Sequence, residues 1–279
     1  MNIKSVVLSC AAFSAVSFAA CNGGSSTESN TDTAVAAPAG LPAEPISIKP
    51  VGESPAYPDA KLSIKDVKGA LAGTDSVKVT IDYEVKNYEL KNQTADAGSK
   101  SCNNSKDGQH IHFILDNNPY AALYEPTKTF TVAANSEHYV MSFLSRSYHE
   151  SVKSPGAAVL YRFKVDDKGN VAKLEIPKTP MIFYSRPKGE YVGEDTKDLL
   201  LDFYVYNTTL SATGDKVKVN INGSDFTIDQ WQPYFIQNAP MGDLTVKVQL
   251  VDKDGKDYTG DNATVSRIVK LAAEEPVKQ

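Results

Sequence analysis

All four histidines of this 279-residue chain lie between positions 110 and 149. His110 and His112 alternate with apolar residues at the period of a β-strand, so both imidazoles are expected on one face, with Cα atoms about 6.5 to 7 Å apart. Imidazoles that share a face with a thiolate or a carboxylate form the ligand set preferred by Zn²⁺ and copper. The pattern predicts a metal site, and its candidate ligands are His110, His112, His149, Cys102 and Glu150.

Strand pairing predicts how these ligands meet. The strand that begins at His110 is expected to run antiparallel to the strand that begins at His138, which sets His110 beside Ser145. The loop after Ser145 carries His149, and the loop of residues 91–107 ends at the same place. His138 is expected at the opposite end of its strand.

The apolar partners of the histidines predict which way the rings point. Ile111, Phe113 and Leu115 are expected to fill the core, so His110 and His112 are expected to face outward, toward solvent. Two other interpretations are open: hydrogen-bonded surface histidines that stabilise a loop, and a nucleophile pair of Cys102 with His110 or His149. No Gly-x-Ser-x-Gly, His-Glu-x-x-His, Gly-x-Gly-x-x-Gly or phosphate-loop pattern occurs, so the sequence predicts a protein that is not an enzyme.

Four further residues are candidates for ligand contact: Arg146, Tyr148, Arg186 and Trp231. The two arginines each follow a serine, and their guanidinium groups could bind an anion or pair with surplus carboxylates. Trp231 lies in an aromatic run that could form a ligand platform or pack in the core. The acidic segment 252–257 is expected to form a hairpin turn, because its glycine comes two positions too early for a calcium loop.

Two ungapped alignments of the chain with itself predict an internal duplication. Residues 60–90 align with 180–210 at an offset of 120, and residues 108–165 align with 214–271 at an offset of 106; the difference, 120 − 106 = 14, is an insertion in the first copy. Short alternating runs separated by turn residues predict an all-β fold of two tandem immunoglobulin- or fibronectin-like sandwiches. The predicted strands are 62–67, 77–86, 110–116, 120–123, 129–132, 138–144 and 157–165 in the first copy, and 182–185, 199–206, 216–222, 226–229, 235–237, 244–251 and 264–271 in the second.

The amino terminus predicts an exported, lipid-anchored protein. An apolar stretch ends in Phe18-Ala19-Ala20-Cys21, which resembles the lipobox of bacterial lipoproteins, so Cys21 is expected to carry the acyl chains, palmitate among them. The predicted organisation is a signal peptide (1–20), a lipidated cysteine and flexible tether (21–46), a first sandwich domain that bears the histidines (47–172), a second sandwich domain (173–273) and a tail (274–279). Cys102 would be the one thiol left for the mature chain, which excludes an intrachain disulfide. The formal net charge of −5 argues against nucleic acid as a partner.

The chain resembles a known family over most of its length, from about Glu53 to Leu271. The resemblance is carried by residues 108–117 (GQHIHFILDN), 143–151 (FLSRSYHES) and 183–191 (FYSRPKGEY), and the family is an uncharacterised group of bacterial envelope lipoproteins of the Bacteroidetes type. It implies a cell-envelope location, with Asn22 after the cysteine favouring the outer membrane. Some members are labelled phosphopeptide-binding, but this sequence has no forkhead-associated pattern and no dense arginine cluster.

From these features we expect an envelope lipoprotein that binds, without catalysis, a protein or peptide partner through the loops of the first domain. Besides that partner, the expected contact is with the membrane through the lipid anchor. The alternative is a periplasm-facing copper or zinc protein that uses His110, His112 and His149.

Overall fold

The computed structural model describes residues 44–100 and 103–274, which belong to one compact unit. These residues form seventeen β-strands and two 3-10 helices, Ala97–Ser99 and Gly193–Thr196, and none of their helices has the length and hydropathy of a membrane span. The strands are β1 (Ser47–Pro50), β2 (Lys61–Leu71), β3 (Ser76–Lys86), β4 (His110–Leu115), β5 (Ala121–Leu123), β6 (Thr127–Ala133), β7 (Glu137–Ser145), β8 (Ala158–Val165), β9 (Val171–Lys173), β10 (Met181–Arg186), β11 (Glu190–Val192), β12 (Leu199–Tyr206), β13 (Lys216–Ile221), β14 (Ser224–Ile228), β15 (Tyr234–Gln237), β16 (Gly242–Val251) and β17 (Thr264–Ala272).

The first sandwich is built from β2 to β9. A three-stranded sheet in the order β2-β3-β6 packs on a five-stranded sheet in the order β5-β4-β7-β8-β9. Alternate residues of β3, such as Val79 and Ile81, point into the same core as Ile111 and Phe113 of β4. One polar pair lies inside this core, where the hydroxyls of Tyr83 and Ser142 are 2.8 Å apart.

The second sandwich repeats this topology, which confirms the predicted duplication. Its sheets have the orders β1-β15-β12-β10 and β11-β17-β16-β13-β14, so the seven strands β2 to β8 correspond to β10 and β12 to β17 with the same pairing among them, whereas β1, β9 and β11 have no counterpart in the other copy. β13 starts 106 residues after β4, and the chain before these strands runs through residues 87–109 in the first copy and 207–215 in the second. All fourteen predicted strands are present, with bounds that differ by a few residues at the ends.

Three short edge strands were not predicted: β1, β9 and β11. β1 pairs antiparallel with β15, and Ile48 packs on the core of the second sandwich. The segment Ser47–Pro50, which the predicted boundary gives to the first domain, therefore belongs by pairing to the second sandwich.

The two sandwiches share a third apolar core. The outer face of the first sandwich's five-stranded sheet packs against the outer face of β10 and β12, and we call this contact the junction. Phe143 and Tyr204 stack across it with ring centroids 5.2 Å apart. The buried residues of the junction are Ile114, Tyr120, Tyr139, Met141, Phe143, Leu160, Met181, Phe183 and Tyr204.

A buried carboxylate reinforces the junction. Asp202 of β12 is fully buried, and it accepts hydrogen bonds at 3.0 Å from both the backbone N–H and the hydroxyl of Ser151. Lys153 donates to the same carboxylate at 2.5 Å. A buried ion is tolerated only with such partners, so these bonds fix how the loop after β7 sits on the second sandwich.

Several sequence predictions fall outside the described residues: the signal peptide, the lipidated Cys21, most of the tether, the thiol of Cys102 and most of the tail. The acidic segment 252–257 is a turn, as expected. The carboxylate of Asp252 accepts hydrogen bonds from the backbone N–H groups of Asp254 and Lys256, which is the usual way in which aspartate closes a turn.

Candidate functional site

Three histidines converge at the junction. His110 and His112 lie on β4, and His149 lies in the loop between β7 and β8. His110 pairs with Ser145 in the antiparallel register, as predicted. The loop then turns tightly: His149 donates its backbone N–H to the carbonyl of Arg146 at 2.9 Å and adopts a left-handed backbone with φ of 69°. This turn directs the third ring toward the other two, and we call the three residues the histidine cluster.

The ring nitrogens of the histidine cluster are close enough to share one ion. Nε2 of His110 lies 2.9 Å from Nε2 of His112 and 3.1 Å from Nδ1 of His149. One nitrogen from each ring can be chosen so that all three lie within 4.8 Å of one another. Zn–N bonds of about 2.0–2.1 Å in a tetrahedral site separate ligand nitrogens by roughly 3.3–3.4 Å, and right angles at copper give about 2.9 Å. The two distances from His110, 2.9 and 3.1 Å, match these separations, while the ligand atoms of His112 and His149 lie within 4.8 Å of each other.

The far sides of two rings are held by hydrogen bonds. Nδ1 of His110 is 2.8 Å from the carbonyl of Gly108, and Nδ1 of His112 is 2.9 Å from the hydroxyl of Ser185 on β10. Since a carbonyl can only accept, His110 must carry its proton on Nδ1 and present a lone pair on Nε2 to the cluster. Metal-binding histidines are commonly oriented in this way by an acceptor on the other nitrogen.

The expectation that the histidines face solvent is wrong. His110 and His112 do point away from the core of their own sandwich, but both are fully buried because the second sandwich covers that face. Tyr120 stacks on His112 with centroids 3.6 Å apart, and its hydroxyl lies 3.1 Å from Nδ1 of His149. The interpretation as surface histidines therefore does not hold for this cluster.

Burial keeps the three rings neutral. Desolvation lowers the pKa of His110 to about 4, although the bond to Gly108 opposes the shift. Desolvation also lowers the pKa of His149 to about 2, with Arg186 as the next cause, and it holds the pKa of His112 well below its usual value. Neutral imidazoles are the form that binds metal, so no proton has to leave these rings at neutral pH before an ion can bind.

The predicted carboxylate ligand lies elsewhere. Glu150 follows His149 in the chain, but its side chain pairs with Arg146 at 2.9 Å and accepts a hydrogen bond from Ser54 at 2.9 Å. It is thus committed to a buried ion pair, and it is not one of the residues that converge with the histidines. The prediction of Glu150 as a ligand is corrected accordingly. Arg146 also donates to the carbonyls of Pro55 and Ser151, which fully explains its position without a ligand.

Two predicted ligand-contact residues turn out to pack against neighbouring parts of the fold, one buried and one half-buried. Tyr148 is fully buried, and its hydroxyl donates to Asp96 at 3.0 Å. Trp231 donates its indole N–H to the carbonyl of Phe203 at 3.0 Å and packs edge-on against Tyr204. Trp231 is therefore a packing residue beside the junction and does not form an open platform for a ligand. His138 lies at the far end of β7, as predicted, where its ring is 2.7 Å from Asp116.

Of the predicted contact residues, Arg186 and Tyr148 line a small cavity together with His149. Arg186 lies on β10 with 9% of its surface exposed. The cavity has a volume of about 10 Å³ and is lined by Asn103, Tyr148, His149, Arg186, Tyr191, Asp195, Asp198 and Leu200. Such a volume holds about one water-sized group.

Sequence reasoning missed the contributions of the second sandwich, namely Ser185 and Lys188, and that of Tyr120. A signal for them was present in the outward positions of β4 and β7. Ile114 and Phe143 are apolar where a solvated face would be polar, which indicates that something covers the face.

Comparisons with known proteins add a limited fold likeness. No protein-family model and no curated protein matches the sequence. Among solved structures, the chain is similar to fibronectin(III)-like modules of CbhA from Clostridium thermocellum, with 12% identity, a TM-score of 0.28, and coverage of 78% of this chain and 99% of that one. It is also similar to the two tandem V-type regions of VCBP3, a v-region-containing chitin binding protein, with 7% identity, a TM-score of 0.22, and coverage of 76% and 99%. The sandwich topology is therefore drawn from the strand order of the chain itself: this is an all-β protein of two tandem immunoglobulin- or fibronectin-like sandwiches.

Proposed function

We propose that this protein is a non-catalytic binding protein of the bacterial cell envelope that holds one zinc or copper ion in the histidine cluster. The observation that carries the proposal is the approach of three neutral imidazoles from two chain segments to distances of 2.9 and 3.1 Å. Three histidines with an open fourth position are a known ligand set for zinc, and imidazole suits copper equally.

The loop of residues 91–107 is attached next to the cluster by two contacts. Thr94 exchanges hydrogen bonds with Ser147, and Asn103 donates to Asp195 of the second sandwich at 3.0 Å, while most of the other described residues of the loop are exposed. Asn103 also lines the small cavity beside His149. Capture of a protein or peptide by this loop stays a prediction from the sequence.

Lipid anchoring at Cys21 and an outer-membrane location, both from the sequence, complete the proposal. They would place the metal site outside the cytoplasm, where the protein could bind copper or zinc near the cell surface. The lipoprotein resemblance supports this part of the proposal.

The test is metal titration of the mature chain in which Cys21→Ala keeps the protein soluble. After chelator treatment, we expect one equivalent of Zn²⁺ or Cu²⁺ to bind by calorimetry, and free ion at a hundred times Kd to raise the free energy of unfolding by about 2.7 kcal/mol. His110→Gln with His112→Gln should abolish both effects. His138→Gln is the matched control, because His138 lies away from the cluster, against Asp116.

Equal metal binding by the double variant and the control would refute the proposal. Cys102→Ser is measured in parallel, since Cys102 was a predicted ligand that lies outside the described residues. A loss of affinity in this variant would add a thiolate to the three imidazoles.

A further inference from the structure

The junction holds two cations that lack an acidic partner. No carboxylate oxygen of the described residues lies within 4.0 Å of the side-chain nitrogens of Arg186 or Lys188. Lys188 instead lies 3.9 Å above the ring of Tyr120 and donates to its backbone carbonyl at 2.9 Å. Arg186 has 9% of its surface exposed and Lys188 is half-buried, so Arg186 is the buried charge that lacks a counter-charge within contact distance, which is unfavourable.

Arg186 has unused bonding capacity. Its Nη1 donates to the hydroxyl of Tyr191 at 3.0 Å, while Nε is buried and has no partner among the described residues. The guanidinium is about nine-tenths buried and lines the same small cavity as His149. A planar, permanently charged donor beside a metal-binding ring is well suited to hold an anion.

The carboxylates on the cavity wall have other partners. Asp195 accepts a hydrogen bond from Asn103 at 3.0 Å, and Asp198 accepts one from Gln237 at 2.7 Å. Neither lies within 4.0 Å of Arg186. The space of about 10 Å³ between these groups admits a single atom of ligand.

A divalent ion in the histidine cluster would add to the positive charge of Arg186, which Asp195 and Asp198 offset only from more than 4.0 Å away. Three neutral imidazoles contribute no negative charge, and a three-histidine site leaves the fourth coordination position free. An anion at that position would satisfy the metal and the guanidinium together.

We infer that the ion held by the histidine cluster takes an anionic fourth ligand, a hydroxide or the terminal atom of a small anion, which Arg186 binds from the other side. This inference rests on the proposed metal site. Lys188 contributes positive charge at longer range, through its position on Tyr120.

The experiment uses Co²⁺ as a spectroscopic substitute and fluoride as the anion, because fluoride is a single atom. Co²⁺ is added to the full mature chain, and its visible absorption reports metal binding before any anion is present. Fluoride should then displace the fourth ligand and change the spectrum with saturation. In Arg186→Gln the affinity for fluoride should fall roughly tenfold to hundredfold, the usual range for losing a charge-assisted hydrogen bond.

Two control variants keep the result interpretable. Arg186→Lys retains the charge and should recover part of the fluoride affinity, while Arg162→Gln, which removes an arginine paired with Glu137, should leave it unchanged. Affinity for Co²⁺ should be undiminished in Arg186→Gln and in both controls, which also shows that they fold. Equal fluoride affinity in Arg186→Gln would overturn the inference, as would a spectrum that does not respond to fluoride; if that spectrum then changes in Asp198→Asn, a carboxylate is the fourth ligand. Failure of Co²⁺ to bind at all would instead overturn the proposed metal site and this inference with it.

Discussion

The same sheet face has opposite environments in the two sandwiches. In the first, the outward positions of β4 and β7 are His110, His112, Ile114, Met141 and Phe143, and all are buried. In the second, the equivalent positions of β13 and β16 are Lys216, Lys218, Asn220, Lys247 and Gln249. Of these five residues, Lys218 and Lys247 are exposed, Lys216 and Asn220 are partly exposed, and Gln249 is buried. The alternating positions of β13, Val217, Val219 and Ile221, are buried in the core.

This difference shows what buries the histidine cluster. Both copies keep apolar residues at the inward-facing positions and the same order of their corresponding strands, so the histidines depend on the cover over the outer face and not on the sandwich itself. In the first copy, β10 and β12 supply that cover, together with the hydroxyl of Ser185 that holds His112. Desolvation by this cover is also the largest cause of the low pKa values of the three rings.

The largest effect on stability is expected when a residue of the exposed sheet face of the second sandwich is placed on the buried face of the first. Met141→Lys copies Lys247 into the junction, where the ammonium would be buried without a partner. We expect the free energy of unfolding to fall by about 4 kcal/mol or more, measured by urea denaturation. Lys247→Met is the reciprocal control on the exposed face and should stay within about 0.5 kcal/mol. Similar effects of the two changes would contradict the comparison.

A second pair of equivalent residues tests the polar part of the junction. Asp202 is fully buried and bound to Ser151 and Lys153, whereas its counterpart Asp82 is partly exposed and accepts a bond from Thr127. Asp202→Asn should destabilise the protein by about 3 to 5 kcal/mol, because it leaves the lysine without its counter-charge. Asp82→Asn should cost at most about 1 kcal/mol. Thermal or urea unfolding of both variants measures these losses. Equal losses of unfolding free energy would show that the buried carboxylate of Asp202 stabilises the protein no more than the partly exposed one of Asp82.

Acid should weaken the metal-free protein through the histidine cluster. The folded pKa of His110 is lowered to about 4 from 6.5, so the unfolded chain takes up its proton first as the pH falls. Stability is therefore retained above pH 6.5 and is lost between pH 6.5 and 4, by on the order of 3 kcal/mol for His110. Urea unfolding from pH 7 to 5 measures the slope, which should flatten in His110→Gln with His112→Gln. An unchanged slope would mean that the rings are not held neutral.

The smallest effect is expected from copying the histidines alone. Lys216→His with Lys218→His places the same spacing on β13, where no second sandwich covers the face. We expect stability within about 0.5 kcal/mol of the parent and no second tight equivalent of Zn²⁺ by calorimetry. A second site as tight as the first would show that strand spacing is sufficient and that the junction is unnecessary.

The sequence predicted the strands well because their chemistry is local. Val77, Val79 and Ile81 alternate with polar residues, and Gly or Asn marks the turns, so the period and the hairpins can be recognised without coordinates. The pairing that sets His110 beside Ser145 followed from the predicted sandwich topology, in which the third and sixth strands are antiparallel. The edge strands β1, β9 and β11 were missed because strands of three or four residues are too short to show an alternation of apolar and polar residues. Their pairing is decided by tertiary contacts.

The candidate site was predicted in part for the same reason. The convergence of His110, His112 and His149 required only antiparallel pairing and a short loop, which the sequence contains. The burial of the rings and the role of Ser185 depended on how two sandwiches pack, and neither copy alone encodes that contact. The sequence likewise could not show that Glu150 pairs with Arg146 and does not join the histidines, because tertiary packing decides which way its side chain points.

The wide separation in the chain between His112 and Ser185, 73 residues apart, bears on how the protein matures. His112 is synthesised well before β10, the strand that covers it, so the site is complete only when the second sandwich has folded against the first. An ion would then bind only at a late stage of folding, and a chain truncated after the first repeat would expose an apolar sheet face and lack a complete binding site.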